Sequence, residues 1–144
     1  MGTNTSGTII EDPDGRRRLT TNSPWEPRMG YCRAIEAGPM IWVSGCVGIH
    51  DDGTYPEGLS AQTAQCIHRI RQALVSIGAD LKDVVKVRIY TTDIDRWEEI
   101  ADIMGPTFQH NRPTNLLVEV SRLVDGALVE IEAEAYRMPS PKDE

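Results

Sequence analysis

The stretch Asn111-Arg-Pro-Thr-Asn-Leu-Leu-Val-Glu-Val120, followed by Val129-Glu-Ile-Glu-Ala133, decides how this chain is read. Its apolar runs predict two strands, Asn115 to Ser121 and Ala127 to Arg137, reversed at the turn residues Asp125-Gly126. Side chains alternate across a strand. One face of the last strand should therefore present Leu128, Glu130, Glu132, Glu134 and Tyr136, and the strand before it Leu117, Glu119 and Ser121. That mixture is too apolar for open solvent and too charged for a sealed core. It fits a subunit interface lined with paired charges.

Working outward, Val85, Val87, Ile89 and Thr91 alternate with Val84, Lys86, Arg88 and Tyr90, the period-two pattern of a further strand. Between it and Asn115, a helix opening near Asp93 to Asp95 has Asp95 and Glu98 placed as a capping box, and should bury Trp97, Ile100, Met104 and Phe108. Gly105-Pro106 predicts a kink or break near its end. Upstream, Ile67, Ile70, Leu74 and Ile77 repeat at helical spacing in a helix capped by Ser60 and stopped at Gly78. Tyr31 to Glu36 and Met40 to Ser44 form a hairpin around Ala37-Gly38-Pro39. The sum is an α+β fold, a mixed sheet with two helices on one face.

Residues 1–22 are polar with few apolar anchors and are expected to form a disordered tail. Residues 23–138 make a single domain, and residues 139–144 a polar, Pro-broken C-terminal tail. At 144 residues the chain is large enough for one core. No apolar run approaches bilayer length, so membrane spanning is excluded. A net charge of −7 would repel a phosphate backbone and argues against nucleic acid as a partner. The cluster Arg16-Arg17-Arg18 is balanced by Glu11, Asp12 and Asp14. Cys32, Cys46 and Cys66 contain no Cys-x-x-Cys pair, and no secretory signal precedes them, which together suggest a reduced, cytoplasmic protein. His50, His68 and His110 fall in no ligand spacing, so no metal and no cofactor is expected.

With Gly30-Tyr-Cys-Arg-Ala34, Ile41-Trp-Val-Ser-Gly45, Gln62-Thr-Ala-Gln65 and Asp83-Val-Val-Lys86 in the same order, these motifs make the chain resemble the Rid proteins, the YjgF/YER057c/UK114 family. The resemblance covers roughly residues 28 to 137 and implies a chorismate-mutase-like fold. It also implies a homotrimer with small-molecule clefts between subunits, and hydrolysis of reactive imines. Some members carry an endoribonuclease name, for which a charge of −7 offers no electrostatic support.

Glu130 matches the first Glu of the family's Val-Glu-Ile-Glu motif, which is thought to position or activate the attacking water; a carboxylate suits that task. The alternative from spacing alone is that Glu130, Glu132 and Glu134 are cross-strand partners of Lys86 and Arg88. Asn115 stands where the family's Pro-Ala-Arg motif holds a substrate carboxylate with Arg, a bidentate contact that an amide cannot reproduce. Arg33 or Arg112 could replace that cation, or each could serve a salt bridge. Tyr31 matches a cleft-lining tyrosine, with simple packing as the other reading. Ser44 and Cys46 end the Trp-Val-Ser-Gly strand, Cys46 replacing the family's Gln; with Asn115 it suggests a less polar pocket. The expected substrate-binding set is Tyr31, Arg33, Ser44, Cys46, Asn115 and Leu117, with Glu130 catalytic. The function implied is hydrolytic deamination of a small imine, enamine or related intermediate other than the usual 2-imino acids. The alternatives are a non-catalytic trimeric ligand-binding or protein-protecting module, and a biosynthetic tailoring hydrolase or tautomerase.

Overall fold

The computed structural model describes residues 7–138. Their elements are β1 (Thr8–Glu11), β2 (Arg17–Thr20), α1 (Trp25–Met29), β3 (Ala34–Ala37), β4 (Met40–Val47), α2 (Leu59–Ser76), β5 (Val84–Thr91), α3 (Trp97–Phe108), β6 (Thr114–Glu119) and β7 (Val129–Tyr136). One seven-stranded sheet runs in the order β1-β2-β3-β4-β7-β5-β6. Its neighbours are antiparallel except β5 and β6, which are parallel because α3 crosses back between them. The α+β architecture with a mixed sheet is the one the sequence predicts. α2 lies across β4 and β7 and packs against α3. Ile41, Leu59, Ile70, Leu74, Val129 and Ile131 fill the space between, all fully buried.

The expected N-terminal tail is corrected. Residues 8–20 form a hairpin that extends the sheet beyond β3, with Leu19 opposite Ala34 and Arg17 opposite Glu36. The turn is Asp12-Pro-Asp-Gly15, where Gly15 N–H donates to Asp12 O at 2.9 Å and Gly15 takes φ +91°. Polar strands suffice here because the backbone bonds to β3 do not depend on side-chain hydropathy. Leu19 is 1% exposed and Ile9 packs beside the core. Glu36 accepts from Arg17 at 3.0 Å and from Arg137 at 2.9 Å, tying the hairpin to the end of β7. Residues 1–6 and the C-terminal tail 139–144 lie outside the described residues.

Local rules were overridden at several points. Gly58, not Ser60, occupies the N-cap of α2, with no side-chain cap; Ser60 Oγ reaches Glu99 on α3 at 3.4 Å. Asp95 and Glu98 form no capping box, since a 3-10 turn at Ile94–Arg96 precedes α3 and Arg96 sits at its N-cap. A capping box does form at Asp80 and Asp83, before β5. α3 continues through Pro106 to Phe108, and Trp97 is 50% exposed rather than buried. In β5 a register shift between Val84 and Lys86 sends Val84 into the core and leaves Val85 out.

Cross-strand register also corrects the face assigned to β6. Asn115 and Leu117 lie opposite Val87 and Ile89 and share the helix-covered face with them. The open face instead carries Leu116 and Val118 of β6, Arg88 and Tyr90 of β5, and Glu130, Glu132 and Glu134 of β7. Parallel pairing with β5 set this parity, which alternation within β6 alone could not.

Candidate functional site

The sheet divides the candidate residues into two groups on opposite faces. Tyr31, Arg33, Ser44 and Glu130 gather around an irregularity in β4, where Cys46 turns the other way, into the core. There Val43 pairs with Ala133 and Cys46 with Ile131, so β4 holds an extra residue between the two pairs. The bulge lets Val43 and Cys46 both reach the core and turns Ser44 and Gly45 outward. Carbonyls displaced from a ladder need other donors. Arg33 supplies them, with Nη1 donating to Gly45 O at 2.9 Å and Ser44 O at 3.4 Å. The same nitrogen lies 3.2 Å from Cys46 Sγ, and the guanidinium sits 5.5 Å from the centre of the Tyr31 ring. A cation so engaged is a clamp on the bulge.

Glu130 lies against that bulge. A Cβ at Gly45 would stand 2.7 Å from Glu130 Oε2, so only glycine leaves the carboxylate its place. Burial pushes the Glu130 carboxyl above its ordinary pKa, and Arg33 draws it back down; Glu132 adds to the rise and Arg69 opposes it. No described group hydrogen-bonds to this carboxylate. The neighbouring glutamates differ. Glu132 and Glu134 are ion-paired to Arg88 at 3.3 Å and 2.8 Å, and Glu134 accepts from Trp42 Nε1 at 3.2 Å. The cross-strand reading therefore holds for Glu132 and Glu134 and not for Glu130.

Two residues of the expected ligand set point away from open space in the single chain. Cys46 is fully buried in the core cluster, because the bulge turns it inward. Arg33 is 7% exposed, with Nη1 donating to the bulge and Nη2 to the Tyr31 hydroxyl at 3.4 Å. Ser44 donates to Cys32 O at 2.7 Å and borders a hollow of about 190 Å³ shared with Trp42, Arg88 and Glu134. Burial pushes the Cys32 and Cys66 thiols up, which disfavours the thiolate at both. His50 and His68, distant in sequence, line one surface hollow with Asp51, Asp52 and Gln65. No group of three or more metal-binding side chains gathers among the described residues.

The second group lies across the sheet. Asn115 and Leu117 line a cleft of about 440 Å³ between the edge strand β6 and α3. It exists because α3 presents Ala101 and Gly105 toward it; a Cβ on Gly105 would meet nothing within 4 Å. Trp97, Ile100, Met104 and Phe108 supply apolar walls, and Arg112 and Gln109 stand with them. Helical spacing alone predicts these four apolar residues as core. The pair of small residues one helical turn apart was the missed signal.

The chain matches the family model described as Endoribonuclease L-PSP over residues 20–137. It belongs to this family, that of the YjgF/YER057c/UK114 or Rid proteins. A family member of known structure from Mycobacterium tuberculosis is 41% identical, with a TM-score of 0.79 over 85% of this chain and 99% of that one. A RutC family protein of Pyrococcus horikoshii is 34% identical over 121 residues, 83% of this chain and 95% of its own. The 2-iminobutanoate/2-iminopropanoate deaminase of Rattus norvegicus is 29% identical over 126 residues, 85% of this chain and 92% of its own. The hairpin β1–β2 lies almost wholly before the matched segment. No helix among the described residues is long and apolar enough to cross a membrane.

Proposed function

We propose that this Rid protein hydrolyses a small imine, enamine or related intermediate, releasing ammonia, on a substrate other than the usual 2-imino acids. One observation carries the reading: of three glutamates on one face of β7, Glu130 alone is half-buried and free of hydrogen bonds and ion pairs among the described residues. A carboxylate with raised basicity and open lone pairs can take a proton from water attacking an imine carbon. The chemistry balances simply: water adds to the carbon, the nitrogen leaves as ammonia, and a carbonyl remains. Relatives named 2-iminobutanoate/2-iminopropanoate deaminase support this reaction class. The net charge of −7 supports no ribonuclease role.

Asn115 and Glu130 cannot share a ligand within one chain, since the sheet lies between them. A homotrimer, as the family resemblance implies, would bring Asn115 of one copy toward Glu130 of the next, with the small-molecule ligand between subunits. Exposed Trp42 and Leu116 on the open face support assembly. Ammonia release from candidate imines tests the reading. Glu130→Gln should lower turnover by roughly 10²- to 10⁴-fold, the usual cost of losing a positioned acid or base. Wild type should act poorly on 2-iminobutanoate, and Asn115→Arg should raise that activity. Undiminished turnover in Glu130→Gln would remove this carboxylate from the mechanism.

A further inference from the structure

The cleft between β6 and α3 lacks a charge at Asn115 yet is not without one. Arg112 is the one charged residue among the described residues that line it. Its backbone sits in the left-handed region, φ 45°, where a side chain other than glycine is held only if its surroundings demand it. The surroundings here are explicit. Arg112 N–H donates to Phe108 O at 2.9 Å, and the preceding Asn111 Nδ2 donates to Leu81 O at 3.0 Å and Val84 O at 3.1 Å. The loop from α3 into β6 is thereby fastened to the start of β5, and Arg112 is held at the cleft's rim. Its guanidinium makes one long contact, Nε to Gln109 O at 3.4 Å, and pairs with no carboxylate among the described residues. Arg33, the other candidate cation, is buried across the sheet and holds the β4 bulge.

We propose that Arg112 is the anion-holding cation of this cleft, and that the cleft takes a small carboxylate with a bulky apolar side chain. This rests on reading the cleft as the substrate's place in the proposed function. An apolar body would fill the space left by Ala101 and Gly105 against Met104, Phe108 and Leu117, while its carboxylate meets the guanidinium at the rim. Asn115, which also lines the cleft, can then add a neutral hydrogen bond.

The probes are stable oxo acids, read by NMR amide shifts of the full-length protein: 4-methyl-2-oxopentanoate, 2-oxobutanoate, and the uncharged 4-methyl-2-oxopentanamide. The branched acid should bind most tightly and shift residues of α3 and β6. Arg112→Gln should weaken it about tenfold, as for loss of one charge-assisted contact, and leave the amide unchanged. Gly105→Leu, which puts an apolar side chain into the cleft, keeps the Arg112 charge and raises helix propensity, should weaken both branched probes. Equal affinity of wild type and Arg112→Gln for the acid would overturn the assignment. So would amide binding as tight as acid, or no shift in the cleft with any probe. Binding is read without turnover, so this result and the Glu130→Gln ammonia assay fail independently.

Discussion

At the scale of single residues, Glu130 shows how one environment separates chemically identical neighbours. Glu132 and Glu134 are fixed by Arg88, whereas Glu130 is held by the shape of the β4 bulge and the missing side chain of Gly45. Because burial raises its pKa, the folded protein keeps this proton to a higher pH than the unfolded chain does. The stability that follows is present below the unfolded pKa and is lost as pH rises through the folded one. Glu130→Gln, neutral throughout, is therefore expected to melt at a higher temperature than wild type near neutral pH. The difference should close in acid, below the usual carboxylate range. Melting curves across that range check the sign; a variant less stable at neutral pH would mean that the ionised carboxylate has a partner in solution. Glu130 as the residue to test was legible from its motif. Its isolation from Glu132 and Glu134 was not, since it depends on where Arg88 falls on β5.

At the scale of elements, the hairpin β1–β2 is the part that composition misread. Thr-Ile-Ile-Glu and Arg-Arg-Leu-Thr look like tail, but Asp12-Pro-Asp-Gly15 between them is a turn with a mechanism: Pro presets φ and Gly takes the positive value. If the hairpin is part of the folded unit, Leu19→Ala should cost about 2–4 kcal/mol, the range for emptying a buried leucine site. Urea denaturation measures this, and a change near zero would return residues 7–20 to the status of a tail. The helices were easier to read, because an apolar stripe at helical spacing sums over many residues. Their caps were not: Gly58 and Arg96 stand where Ser60 and Asp95 were expected, since a single side-chain bond is easily outweighed by packing.

At the scale of the molecule, the sheet has helices on one side and Ile35, Trp42, Tyr90 and Leu116 among charged residues on the other. We expect this face to be buried in a homotrimer. Light scattering at micromolar concentration should give about three times the 16.0 kDa chain mass. Trp42→Asp should shift the mass toward one chain, because an unpaired carboxylate would be buried among apolar groups. A monomer mass for wild type would leave the open face unexplained and the two half-sites apart.

The sequence by itself determined the α+β plan, the family, and Glu130 and Asn115 as the positions to examine, because hydrophobic periodicity and motif order are written along the chain. Tertiary structure decided which face each strand presents. A bulge at Ser44–Gly45 and the parallel pairing of β6 each set a parity that reverses with a one-residue shift. That parity put Arg33 under the bulge, Asn115 and Arg112 in the cleft by α3, and the sheet between them and Glu130.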